Sequence, residues 1–252
     1  MKNYIYKILI FFLTLILFFG SVNGIIVGDI WQIDSNEIVH YLVIDPLKRK
    51  TGFDPILNKW FKEIPGTNYA YFSLGDFDNP NTNEDYAHQF LYINRSSNTI
   101  LYGLYKLKII GVKLGNYSVM FGIQRSNKDT TFHINGVADS GSVSIYQFTY
   151  NSNPDSTITV ERVINTCSDI RQDLDLCYKI GLIDNKGIYN SLSKKLDNTV
   201  KMVNKGKYKT AINHLNAFIN EVKAQKEKHI TEYAVNILID DARILKKYYQ
   251  NQ

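Results

Sequence analysis

The period of the apolar residues changes once along the chain, near residue 163, and no single regular structure accommodates both sides of that change. Before it, apolar side chains recur at every second position. Tyr117, Val119, Phe121 and Ile123 alternate with Ser118, Met120, Gly122 and Gln124, and Leu107 and Ile109 alternate with Lys106 and Lys108. Phe132 and Ile134 flank His133, and Ile158 and Val160 flank Thr159. Successive side chains of a strand point to opposite faces, so this alternation marks strands with one buried face. Residues 41–44 and 90–93 are continuous apolar runs, as strands with more of their surface buried would be. After the change, Ile188, Leu192, Leu196, Val200 and Val203 recur at three or four. So do Tyr208, Ile212, Leu215, Ile219 and Val222, and then Ile230, Ala234, Ile237, Leu238 and Leu245. Each set is the apolar stripe of an amphipathic helix. With an earlier helix ahead of Gly181, four helices joined by short connections would lie antiparallel.

The expected fold is therefore α+β in two domains. An antiparallel β-sandwich, jelly-roll or Ig-like, covers residues 25–162, and an antiparallel four-helix bundle covers 163–252. Turn chemistry separates the strands at Pro65-Gly66, Asn79-Pro80, Gly115-Asn116 and Asn153-Pro154. The clearest hairpin is Gly103 to Gly111, then Val-Lys-Leu, then Gly115-Asn-Tyr117, with glycines where the chain must turn.

This Gly-x-Tyr hairpin resembles that of secreted bacterial sandwich modules of the pre-peptidase C-terminal type. A second stretch runs Asp45-Pro46-Leu-Lys-Arg-Lys-Thr51-Gly52-Phe53-Asp54-Pro55, then Glu63-Ile64-Pro65-Gly66. It is similar to a segment of exported bacterial multidomain proteins, although Lys48 replaces the glycine of that pattern. Neither resemblance brings catalytic residues with it.

Charge and hydropathy say where such a chain works. Lys2 and Lys7 precede twelve largely apolar residues, 8–19, closed by Gly20-Ser21. About 20 apolar residues are needed to span a bilayer. The run is therefore expected to be the core of a signal peptide, residues 1–24. The mature chain is expected to be secreted, extracellular or periplasmic, with no membrane span after cleavage. Charge divides as the period does. Residues 25–167 hold 12 Lys/Arg against 14 Asp/Glu, and residues 168–252 hold 15 against 10. Lysines cover the helices, yet acids interrupt them and aromatics are not interleaved, which argues against a nucleic-acid partner.

The helical part carries the more specific resemblance. Gly181-Leu-Ile183-Asp-Asn185-Lys-Gly187-Ile188-Tyr-Asn190-Ser191-Leu192 resembles the opening of the FIMAH domain of secreted bacterial proteins. Ala217-Phe218-Ile219-Asn220-Glu-Val222, running on to Gln225 and Ile230, resembles its central signature, with Glu227 where the family has glycine. Residues 234–242 resemble its last helix. The resemblance implies a non-catalytic accessory module of exported proteins and supplies no ligand.

Catalytic signatures are missing from the sequence. His40, His88, His133, His214 and His229 stand in no HExxH or HxH spacing, and no Gly-x-Ser-x-Gly elbow occurs. The expectation is a non-enzyme, with no catalytic residue. Two features could bind a ligand. Trp60, Tyr69 and Tyr71 offer broad apolar faces with polar edges, suited to stacking on sugars. The bland alternative places most of these aromatics in the core, Trp60 being the one expected outside. Asp76, Asp78, Asn81, Asn83 and Asp85 could chelate calcium. Pro80 and Asn81 break the EF-hand pattern, so a solvated Asx-rich turn is the favoured alternative.

Cys167 and Cys177 pose a choice. An even pair in an exported chain points to a disulfide. Ten residues along one helix, however, separate Cα atoms by about 15 Å, and a disulfide needs under about 7 Å. The disulfide is the expectation, with residues 168–172 turning back. Together these features predict a secreted binding or adhesion module for an extracellular or cell-surface polymer, carbohydrate first, or protein. The alternative is a structural or assembly protein whose bundle docks a protein partner. A hydrolase with an unrecognised site is the third reading.

Overall fold

A computed structural model describes residues 30–74, 86–94, 101–124, 129–153 and 155–252. The expected signal peptide lies outside them. The described residues form an antiparallel β region in two sheets, followed by a four-helix domain. The strands are β1 (Ile30–Ser35), β2 (Val39–Ile44), β3 (Lys50–Asp54), β4 (Lys59–Lys62), β5 (Thr67–Leu74) and β6 (Tyr86–Asn94). They continue as β7 (Gly103–Gly111), β8 (Gly115–Gln124), β9 (Asp129–Ala138), β10 (Val143–Tyr150) and β11 (Glu161–Arg162). One sheet has the order β5-β6-β1-β8-β9 and the other β11-β10-β7-β2-β3-β4.

The sheets face each other across an aromatic core. Trp31 of β1 is 1% exposed. Its ring meets Tyr105, Tyr150 and Phe148 of the facing sheet edge-on, at centroid distances of 4.8, 4.9 and 5.4 Å. Such pairs contribute about 0.5–1.5 kcal/mol each beyond area burial. Tyr41 of β2 donates its hydroxyl to the Ile33 carbonyl of β1 at 2.9 Å, so a buried polar atom ties one sheet to the other. The run at 41–43 is buried throughout for a simple reason. Tyr41 and Val43 enter the core between the sheets, while Leu42 joins Phe61 and Ile110 in a small separate cluster.

Two expectations are corrected. Gly103–Gly111 and Gly115–Gln124 are strands, but they do not form a hairpin. Strand β7 pairs with β2 and β10, and β8 pairs with β1 and β9. Residues 112–114 carry the chain across from one sheet to the other, beside the equivalent crossing at residues 36–38. The Val112 amide donates to the Ile38 carbonyl at 2.9 Å, and Lys113 pairs with Glu37 at 2.6 Å. Alternation reports which face of a strand is buried, and two strands burying their faces against each other alternate just as a hairpin does. Likewise, Ile158 is buried, yet the last strand holds only Glu161 and Arg162.

The helices are α1 (Cys167–Lys179), α2 (Lys186–Val203), α3 (Tyr208–Ala224) and α4 (Glu232–Gln250). Their starts follow local chemistry. Asp169 and Thr166 form a capping box on α1. Asn185 accepts from the amides of Gly187 and Ile188 to open α2, and Thr231 accepts from Ala234 to open α4. The apolar stripes meet as expected: Leu192, Leu196, Leu215, Phe218, Val222, Leu238 and Leu245 are fully buried. At one end the loops 180–185 and 225–231 are stitched together. Ile183 bridges Ile230, and the Asp184 amide donates to the His229 carbonyl.

The helices are seated on the sheets by polar contacts and a shared core. Val137 of β9 lies in the helical core cluster. The Tyr233 hydroxyl of α4 donates to the Tyr117 carbonyl at 2.7 Å and accepts the Gly136 amide at 3.1 Å. A Cβ on Gly136 would stand 2.3 Å from the Tyr117 ring, so only glycine fits between strand and ring. Arg162 of β11 holds both Asp173 of α1 and Asp241 of α4, the latter through two contacts of 2.8 Å, and also donates to Ser144. All three charges are nearly dry: the side chains of Arg162, Asp173 and Asp241 are 10%, 1% and 4% exposed.

Both positions where the sequence departs from a glycine of the resembling families keep a glycine-like backbone. Lys48 has φ +65° and Glu227 has φ +60°. The left-handed region costs an L-residue about 1–2 kcal/mol. Glu227→Gly should therefore raise unfolding stability by about 1 kcal/mol, measured by urea titration of the full chain; a loss would contradict it. The Arg162 cluster sets a pH dependence. One guanidinium faces two buried carboxylates, with the Tyr117 and Tyr146 phenols close by. Burial pushes the Asp241 carboxyl well above the usual range; Arg162 opposes this and Asp173 adds to it. The native state then binds the proton more tightly than the unfolded chain. That stabilisation is full below about pH 4 and lost as pH rises through the raised value. Unfolding curves at several pH values should be flatter for Asp241→Asn than for the parent; parallel pH profiles would exclude the effect.

Candidate functional site

Strands β3 and β4 form the free side of the six-stranded sheet, and two similar turns hold them. At Asp45-Pro46-Leu47-Lys48-Arg49 the Asp45 carboxylate accepts from the Leu47 and Arg49 amides, both at 2.9 Å, and from the Arg49 side chain at 2.6 Å. At Asp54-Pro55-Ile56-Leu57-Asn58 the Asp54 carboxylate accepts from Ile56 and Leu57 at 3.0 and 3.2 Å. These are Asx-type turns, in which a short carboxylate replaces a backbone acceptor. Glu63 does the same work from the next crossing, accepting the Lys50 amide at 2.9 Å. Three acids, Asp45, Asp54 and Glu63, thus serve the backbone.

This scaffold presents Trp60. The residue stands on the edge strand β4, opposite Phe53 in register, and is 55% exposed. Its ring lies 4.8 Å from that of Phe53, which in turn meets His40 edge-on at 4.9 Å. Beside it opens a crevice of about 290 Å³, lined by Thr51, Trp60, Phe61, Lys62, Thr67 and Asn68. Its far wall belongs to β5 of the other sheet, where the chain crosses through Ile64 and Gly66. Thr51 donates to Thr67 at 2.9 Å, and Thr67 donates to the Ile64 carbonyl at 2.8 Å, so the two walls are bonded. Lys50 and Lys59 sit over the Phe61 ring at 5.1 and 4.8 Å. The result is an exposed indole with the amide of Asn68 and the ammonium of Lys62 at its edge, above two buried threonine hydroxyls. It can stack on an apolar ring face and hydrogen-bond around the rim.

Tyr69 and Tyr71 fall on β5, in register with Leu91 and Gln89. Asp76, Asp78, Asn81, Asn83 and Asp85 lie outside the described residues. Among the described residues no three His, Cys, Asp or Glu side chains gather as a metal site, no helix is long and apolar enough to cross a membrane, and no catalytic constellation is evident. The lysine field of the bundle is partly paired, Lys195 with Glu221 and Lys226 with Glu232. A second crevice, at the end of the bundle away from the stitched loops, escaped the sequence reading. Its one signal was Val200, counted in the apolar stripe of α2 but 41% exposed.

The expected disulfide is corrected. Helix α1 begins at Cys167 itself and runs unbroken past Cys177, and both thiols are free and buried. Helical rise keeps them about 15 Å apart. Burial pushes the Cys167 thiol up to about 11 and the Cys177 thiol higher still. Folded protein at neutral pH should therefore resist iodoacetamide. Unfolded without reductant, it should gain the mass of two labels; no gain would restore the bridge.

No curated protein and no solved structure matches the chain, and nothing identifies the β region. The sequence model of one family does match, from the first residue of α1 to the last turn of α4. Residues 167–247 are a FIMAH domain.

Proposed function

We propose that the protein is an exported, non-catalytic binding module that recognises an extracellular or cell-surface polysaccharide through the Trp60 crevice. One observation carries the reading: a tryptophan more than half exposed on a rigid edge strand, backed by Phe53 and bordered by Thr51, Thr67, Asn68 and Lys62. A sugar ring laid on the exposed part of the indole removes apolar surface from both partners. Asn68 and Lys62 at the rim supply polar groups that can hydrogen-bond to sugar hydroxyls. The apolar run at residues 8–19 supports export, and the FIMAH domain supports an accessory role beside such a module.

On an array of extracellular and cell-wall polysaccharides the protein should bind at least one polymer. Trp60→Ala should weaken that binding about tenfold or more, equivalent to about 1.4 kcal/mol. Its thermal unfolding should still be cooperative, with a loss limited to the Trp60 contacts such as that with Phe53. Binding to no polysaccharide, or equal binding by Trp60→Ala, would remove the proposal.

A further inference from the structure

The end of the helical domain holds a groove of about 390 Å³, larger than the crevice at Trp60 and within the range of small-ligand sites. It lies where α2 ends, α3 begins and α4 ends, against the linker that leads into α1. Its aromatic surface is continuous. Tyr208 and Tyr248 both approach Tyr249 with ring centroids at 5.8 Å. Tyr249 is buried and forms the floor, with its hydroxyl 3.9 Å from the Cys167 sulfur. Tyr248 is 40% and Val200 41% exposed, so apolar surface that would normally be covered faces the opening.

The rim decides the ligand class. Asn165, Thr166, Ser168, Asn204 and Gln252 border the groove, and no Lys, Arg, Asp, Glu or His side chain is among its lining residues. Asp169, in the first turn of α1, is already spent on the amides of Asn165 and Thr166. Among fifteen basic and ten acidic side chains in residues 168–252, a lining without a charged side chain is selective. It holds no cationic side chain for an anionic polymer. Phenol faces together with amide and hydroxyl edges complement a ring that has an apolar face and a hydroxyl rim. Tyr248 and Tyr249 follow the last residue matched to the family, so the groove is not a property of the matched stretch alone.

We propose that this groove is a binding site in its own right, which takes a neutral oligosaccharide. The proposal does not rest on the Trp60 crevice, which lies on the other domain.

The test is calorimetric titration of the full chain with cello-, manno-, xylo- and chito-hexasaccharides and with an anionic oligogalacturonate. It uses the parent, Trp60→Ala, and Trp60→Ala combined with Tyr248→Ala or Tyr248→Phe. Thermal unfolding confirms that each variant is folded. The expected result is a neutral hexasaccharide bound by Trp60→Ala, weakened about tenfold or more on adding Tyr248→Ala and largely kept with Tyr248→Phe. If Trp60→Ala abolishes all binding in an otherwise binding parent, the groove is not a site and the Trp60 reading stands. If the parent's affinity survives Trp60→Ala undiminished but falls with Tyr248→Ala, the groove stands and the Trp60 reading falls. Binding of the galacturonate in preference to every neutral sugar, or of none of the probes by the parent, overturns the proposal.

Discussion

Arg162 carries one positive charge into a nearly dry seam and meets two carboxylates there, one from the first helix and one from the last. Moving such groups out of water costs several kcal/mol per ion, and only close, well-directed partners repay it. The cluster therefore tolerates little displacement. Arg162 is on the two-residue strand β11, which pairs with β10 through Tyr146 and Gln147. Its guanidinium position thus follows from the sheet. Asp173 and Asp241 fix the faces that α1 and α4 turn toward it, and those helices bracket the other two. The orientation of a four-helix domain is in this way referred back to a single residue at the end of a sheet.

The hydrophobic contacts agree with that anchor. Val137 is a strand residue by register and a bundle residue by burial, and Tyr233 reaches back from α4 to the backbone of β8 and β9. A change of period near residue 163 divides the sequence cleanly, but the packing does not break at the same place. Periodicity describes each chain segment against its own axis. It carries no information about a side chain that leaves its own layer to fill another.

The same limit explains what could and could not be read from the residues. Two-residue alternation located β7, β8 and β9, and the three- and four-residue stripes located the helical core down to Leu215, Val222 and Leu238. Partnering was not legible. A glycine-bounded turn at 112–114 looks alike whether it folds a hairpin or crosses between sheets, because the distinguishing bonds, to Ile38, come from seventy residues away. The disulfide expectation failed because compartment chemistry was set against helical geometry and geometry prevailed: a capping box at Thr166 starts the helix at the first cysteine. Trp60 was legible as an exposed ring because it stands among lysines. The tyrosine groove was not, since Val200 obeys the helical stripe and only the termination of three neighbouring helices leaves it uncovered. Lys48 and Glu227 taught a subtler lesson: a missing glycine did not mean a different backbone.

Because Arg162 and Tyr233 fasten the helices to the sheets by side chains rather than by a flexible tether, the Trp60 edge and the far end of the bundle keep a fixed spacing and direction. Contacts made at the two proposed sites on such a frame would not sample independent orientations. An extended, stiff ligand whose repeat matched that spacing would be gripped at both ends with little further loss of entropy, whereas a coiled or branched one could engage only one end at a time. The rigid seam, not either surface alone, would then act as the ruler that sorts one polymer from another.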